Sequence, residues 1–128
     1  MIAVDSSALV AILFDEPEGP AFRADLRIAD RVVLSATSLV ETAMVVVGRL
    51  GPAGIGKLDL LLAEYRVVVT AFDLRQALAA QTAFVRYGKG RHPAGLNFGD
   101  CLAYGLAKAL GLPLLHKGTD FAATDLPA

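Results

Sequence analysis

The sequence predicts an α/β fold in three layers, α/β/α, with a central parallel sheet. Three observations carry this. Short continuous apolar runs recur at "MIAVD", "RVVLSA", "RVVVTA" and "LPLLHKG", and such runs mark strands buried on both faces, as in parallel sheets. Segments with helical spacing alternate with them, as parallel crossovers require. With 128 residues and 55 % apolar side chains, the chain suits one compact domain, residues 1–128, with a sizeable core.

The elements follow in order. "MIAVD" reads as a short buried strand, and "SSALVAILFDEPEG" as a helix capped by Ser6 or Ser7, apolar nearly all round and therefore buried. A second helix spans Pro20 to Ile28. The strand "RVVLSA" leads into a helix from about Leu39 to Leu50, which Gly51 and Pro52 stop. A helix near Ile55 to Tyr65 precedes "RVVVTA". In "DLRQALAAQTAFVRYG", Leu74, Leu78, Phe84 and Val85 fall at helical spacing, with Asp73 as the cap and Gly88 as the stop. The loop "KGRHPAGLNFG" serves no core, and loops of this kind carry function. The helix from about Phe98 to Leu110 sets Leu102, Leu106, Ala109 and Leu110 on its core face, and "LPLLHKG" is the last strand.

Composition excludes several classes. The longest apolar run, Ala8 to Phe14, is too short to span a bilayer, and Asp5 stands where a signal peptide carries basic residues. A cytoplasmic protein without a membrane partner is expected. The single cysteine, Cys101, excludes an internal disulfide and fits a reducing compartment. It reads as a buried small residue, since neither His92 nor His116 has the context of a catalytic partner, and the three make a poor zinc set. The formal net charge of −1 does not announce a nucleic-acid binder. Its distribution says more: no acid lies between Asp73 and Asp100, where Arg75, Arg86, Lys89, Arg91 and His92 stand.

Right-handed crossovers bring every strand's C-terminal end to one edge of the sheet, where ligands bind. Four acids fall there: Asp5 closes the first strand, Glu41 follows the second, Asp100 opens the helix of "LNFGDC", and Asp120 follows the last strand. Each has a capping explanation. Asp5 can cap the first helix, Ser38 and Glu41 spell a capping box, Asn97 can cap above Asp100, and Thr119 can cap a final short helix with Asp120 in its first turn. Convergence is what caps do not require. Clustered carboxylates repel one another unless a cation joins them, and hard oxygen donors select Mg²⁺ or Mn²⁺. Asp73, in a D-x-x-Q context, stays outside the site as a cap.

"IAVDSSALVAIL", "SATSLVETAMVV", "HPAGLNFGDCLAYGLA" and "LLHKGTDF" resemble, in order and over essentially the whole chain, the PIN-domain ribonucleases, specifically the VapC toxins of VapBC toxin–antitoxin pairs. The resemblance implies a PIN-like three-layer fold, divalent-metal-dependent endonucleolytic cleavage of RNA, inhibition by a cognate VapB-type antitoxin, and a homodimer. By position it makes Asp5 and Asp100 the principal Mg²⁺ ligands, with Mn²⁺ as a substitute. Glu41 matches the acid that helps bind metal or orient the attacking water, and Asp120 matches the fourth, most variable acid. Thr119 departs from the family, where close relatives commonly carry Asn. Arg86, Lys89, Arg91, His92 and Lys117 are the candidates for holding RNA phosphates, and Tyr87 offers a stacking face. Leftover apolar surface would be covered by a second copy and an antitoxin helix. The alternatives are a non-catalytic Mg²⁺-binding receiver-like module, which fits poorly because Asp5 lacks an adjacent acid, and a degenerate PIN scaffold.

Overall fold

The structure, a computed structural model, describes residues 1–127. Its elements are β1 Ile2–Val4, α1 Ser6–Leu13, α2 Gly19–Ile28, β2 Val32–Ser35, α3 Ala36–Leu50, α4 Gly54–Glu64, β3 Val68–Thr70, α5 Leu74–Tyr87, α6 Phe98–Leu110 and β4 Leu114–Leu115. The strands pair in the order β3-β2-β1-β4, all parallel. The three-layer α/β/α arrangement read from the sequence is the one the chain adopts.

Alternate strand residues feed two cores. Ala3, Val33 and Leu114 face α5 and α6, whereas Val4, Val32, Leu34 and Leu115 face α1, α2 and α4. Both faces of β1 and β2 are thus buried, which explains their unbroken apolar sequence. The edge strand β3 is the exception, with Val68 and Val69 more than two-fifths exposed.

Two helices start directly from strand ends. Asp5, not Ser6 or Ser7, caps α1 by accepting the Ser7 N–H at 3.2 Å. Ser35 caps α3, taking the Thr37 N–H at 3.3 Å, so α3 begins a turn earlier than Leu39. Ser38 therefore lies buried inside the helix, and the expected Ser38–Glu41 capping box does not form. At its other end α1 stops at Leu13, because Asp15 takes a left-handed φ of 52° and turns the chain toward α2.

The pair α5 and α6 corrects the sequence reading most. Asp73 caps α5 as expected, accepting the Gln76 N–H at 3.0 Å, but the buried face is Gln76, Ala80, Ala83 and Tyr87. Leu74, Leu78, Phe84 and Val85 point outward. On α6 the core face carries Cys101, Ala103, Tyr104, Leu106 and Ala107, while Leu110 is exposed and Leu102 half-buried. Small residues allow the close approach: a Cβ on Gly105 would stand 2.5 Å from the Gln76 carbonyl oxygen. No side chain fits at that point of contact, although Tyr87, Tyr104 and Leu106 belong to the same core.

Residues 116–126 form turns and bends in place of the expected short helix after Thr119. This segment is pinned by buried Phe121 and by Asp125, which accepts from Tyr104 Oη and from Lys108 Nζ at 2.8 Å. No helix among the described residues is long and apolar enough to cross a membrane.

Gly105→Ala forces the α5 backbone away, and overpacking of this kind costs about 2 kcal/mol. We expect a lower urea midpoint with an unchanged slope in equilibrium unfolding.

Candidate active site

Strand order reverses at β1, whose neighbours β2 and β4 lead away in opposite directions. That crevice is where a doubly wound sheet receives ligands. Asp5 stands at the C-terminal end of β1 with its side chain 4 % exposed. The N–H and hydroxyl of Ser7 both donate to its Oδ2. Ser7 Oγ in turn accepts the Lys117 N–H at 3.0 Å, so one hydroxyl ties the segment after β4 to Asp5.

Ser6 points to a different acid. Its Oγ donates to Glu41 Oε1 at 2.7 Å, joining the first turn of α1 to α3. The other oxygen, Oε2, occupies the space above Gly99, where a Cβ would fall on it. Gly99 is thus the residue that lets α6 approach Glu41. Next to it, Asp100 forms a reciprocal capping box with Asn97: Asn97 Oδ1 accepts the Asp100 N–H at 2.9 Å, and Asp100 Oδ2 accepts the Asn97 N–H at 3.1 Å. Asp100 is both a cap and a member of the acid group, because its cap uses one oxygen and leaves Oδ1 for a ligand.

Three of the acids are neighbours through the residues beside them: Ser6, next to Asp5, holds Glu41, and Glu41 packs on Gly99, next to Asp100. The Asp100 carboxyl is pushed up to about 6, chiefly by burial and further by the charges of Asp5, Asp120 and Glu41, with the Asn97 N–H opposing the rise. Asp5 is also raised, chiefly by burial and partly by Glu41, against the hydrogen bonds from Ser7. Asp120 is exposed on the segment after β4. Among the described residues no three His, Cys, Asp or Glu side chains stand close enough to hold a metal ion directly between them. Mg²⁺ commonly takes one or two carboxylates and keeps several waters, so the oxygen donors present fit that ion without a closed protein cage.

The basic candidates separate into two groups. Lys117 is engaged by Glu16 at 2.6 Å and Glu18 at 3.3 Å, and Arg86 lies 3.7 Å from Asp125. Arg86 also covers the ring of Tyr87 at 4.9 Å, and Tyr87 is buried, so it presents no stacking face to a base. His92 accepts the Ala94 N–H on Nδ1 and packs edge-on against Tyr87. Lys89 and Arg91 are exposed on the 88–97 turn and form no ion pair among the described residues. Cys101 is buried, as expected. The sequence gives no sign of these contacts of Ser6, Ser7 and Gly99, because a serine pair after an acid reads as capping and a glycine in a helix carries no chemical label.

The PIN-domain family matches residues 2–126 of the chain. A "VapC ribonuclease" of Mycobacterium bovis is 49 % identical over 126 residues, covering 98 % of this chain and 95 % of the relative. The chain is a member of the PIN-domain family, among the VapC ribonucleases. A "Ribonuclease VapC" of Mycolicibacterium smegmatis is also 49 % identical, over 99 % of this chain and 98 % of its own. Among solved structures, the Mycobacterium tuberculosis toxin VapC20 superposes with a TM-score of 0.78 at 19 % identity, covering 99 % and 97 % of the two chains. The DNA-bound VapBC of Salmonella typhimurium gives 0.77 at 18 %, over 98 % and 94 %. These two share the PIN fold. Family membership sets aside the receiver-like alternative.

Charged Asp5 is a burden on the metal-free VapC fold. Because its folded carboxyl is raised above the ordinary 3.8, the cost is absent below about pH 4 and complete only above the folded value. We expect Asp5→Asn to raise the melting temperature in EDTA at neutral pH, on the order of 4 °C, with the gain vanishing toward pH 4 in differential scanning calorimetry.

Proposed function

We propose that this protein is the toxin of a VapBC pair: a Mg²⁺-dependent cytoplasmic endoribonuclease, one PIN domain over residues 1–128, that hydrolyses RNA phosphodiester bonds and is silenced by a cognate VapB-type antitoxin. The observation that carries the reading is membership of the whole chain among the VapC ribonucleases, together with the placing of Asp5, Glu41 and Asp100 around the switch point of the sheet through Ser6 and Gly99.

In this reading Asp5 and Asp100 hold the cation, with Asp120 as an outer ligand. Mg²⁺, or Mn²⁺ in its place, supplies charge neutralisation at the phosphodiester and a lowered pKa for water. Ser6 fixes Oε1 of Glu41, which leaves Oε2 to orient the water for in-line attack. Lys89 and Arg91 meet the flanking phosphates, and His92, Arg86 and Lys117 act as neighbours that shape this surface. For the antitoxin and for a second copy of the chain there is an apolar seam: two adjoining hollows of about 510 and 620 Å³ share Phe98 and Leu102, one bounded by Phe84 on α5 and the other by Val40 and Met44 on α3. Exposed apolar surface of this kind marks protein interfaces, and solved relatives include a toxin–antitoxin complex from Klebsiella pneumoniae.

The test is cleavage of a mixed cellular RNA pool by purified, antitoxin-free protein. Discrete products with Mg²⁺ or Mn²⁺, absent in EDTA and with Asp100→Asn, are expected. A folded protein that cleaves nothing under those conditions favours the non-catalytic PIN scaffold. Gly99→Ala displaces the flexible Glu41 carboxylate rather than backbone, so activity should fall about 100-fold while the urea midpoint stays near the parent's. Because Asp100 must shed its proton to bind a cation, Mn²⁺ affinity measured by calorimetric titration should weaken as pH falls through about 6.

A further inference from the structure

A second basic surface lies at the end of the sheet opposite to the acids. Arg31 directly precedes β2, Arg66 stands just before β3, and Arg27 sits in the last turn of α2, so all three gather at the N-terminal ends of strands. Four residue steps along β2 separate Arg31 from Ser35, about 13 Å at the rise of a parallel strand. The arginines line one open cleft of about 840 Å³ together with Asp30, Glu64 and Tyr65.

The other polar groups of this cleft are already engaged. Glu64 pairs with Arg23 at 3.0 Å, and Asp30 with the amino group of Met1 at 2.6 Å. The Tyr65 hydroxyl also takes Arg23 at 3.0 Å, and the same guanidinium lies 6.0 Å from the ring centre. Arg27, Arg31 and Arg66 are exposed and have no ion-pair partner among the described residues. Even with Asp30 counted as a full negative charge, the cleft keeps an excess of positive charge. Arg66 holds that place at a left-handed φ of 51°, a backbone state that Asn or Gly would adopt more readily.

We propose that this cleft is an accessory site for RNA phosphates, gripping the backbone of a strand whose reacting part lies at the acids; the choice of RNA rests on the ribonuclease reading above. Guanidinium groups bind phosphate oxygens through paired N–H donors. A protein segment would need a large apolar or aromatic anchor, and here Leu26 is buried, Tyr65 is taken by Arg23, and the exposed apolar side chain, Val68, is small. With no free aromatic face, the cleft touches backbone and not bases. It adds affinity without sequence preference.

The experiment is binding of a fluorescein-labelled single-stranded RNA of mixed sequence in EDTA, followed by anisotropy between about 50 and 200 mM salt. Compared are the parent chain, Arg27→Gln with Arg31→Gln, Arg66→Asn, and a charge-matched control, Lys57→Gln with Arg75→Gln. The Arg27/Arg31 pair should bind about 10-fold more weakly and lose about 1.4 from the salt slope, as expected for two lost contacts to a single strand. Arg66→Asn should weaken binding without lowering the melting temperature. Under turnover, the pair should raise KM for long RNA and leave kcat unchanged. Parent-like affinity and slope in the Arg27/Arg31 variant, or an equal loss in the control, overturns the site. Because binding is read without metal, that failure is distinct from a failure to cleave, which would overturn the ribonuclease reading instead.

Discussion

Asp5 ends β1 and caps α1, and the architecture of the site depends on this double duty. There is no loop between strand and helix, so the carboxylate has nowhere to go but the crevice beside β1. Ser35 repeats the arrangement at β2 and thereby fixes where Glu41 falls on α3. The capping bonds hold the acidic side chains still while using only part of their oxygens. Local helix chemistry thus positions these groups, and capping by Asp100 is compatible with a second use of its carboxylate, because one oxygen serves the cap.

That rigidity works against electrostatic repulsion. Four carboxylates are brought to one edge, two of them with raised affinity for protons. Flexible loops would let them separate; the strand end that carries Asp5, the helix that carries Glu41 and the first turn that carries Asp100 do not, whereas Asp120 lies exposed on the turns after β4. The two hydroxyls of Ser6 and Ser7 hold Glu41 and Asp5 respectively, and Ser7 adds a connection to the chain after β4. Functional groups are commonly placed at the expense of the free protein's stability, and here the strain is of charge rather than of backbone.

The fold class and the acid edge were legible in the sequence because both follow from short-range signals: apolar runs for buried strands, and acids directly after them. Strand and helix existence came through for the same reason, and the capping role of Asp73 was plain from D-x-x-Q. What escaped depended on partners far away in the chain. Nothing local says that Ala80 and Ala83 face inward while Phe84 and Leu78 face out, since that orientation is decided by Gly105 on another helix. Likewise Lys117 and Arg86 look like free cations until the turn after α1 and the C-terminal segment supply Glu16 and Asp125. The Ser38–Glu41 box failed because Ser35 captured the helix start first.

The contact between α5 and α6 has a consequence for divergence among relatives. At its closest point Gly105 is pressed against the backbone of Gln76 beside Ala80, and no larger residue can enter there without moving a helix. The outer surface of α5 carries Leu78, Phe84 and Val85, all exposed. Drift is forbidden on one side and unconstrained by folding on the other. Substitutions on the outward side of α5 can therefore change what this surface presents without touching the acid edge, which is built from other elements.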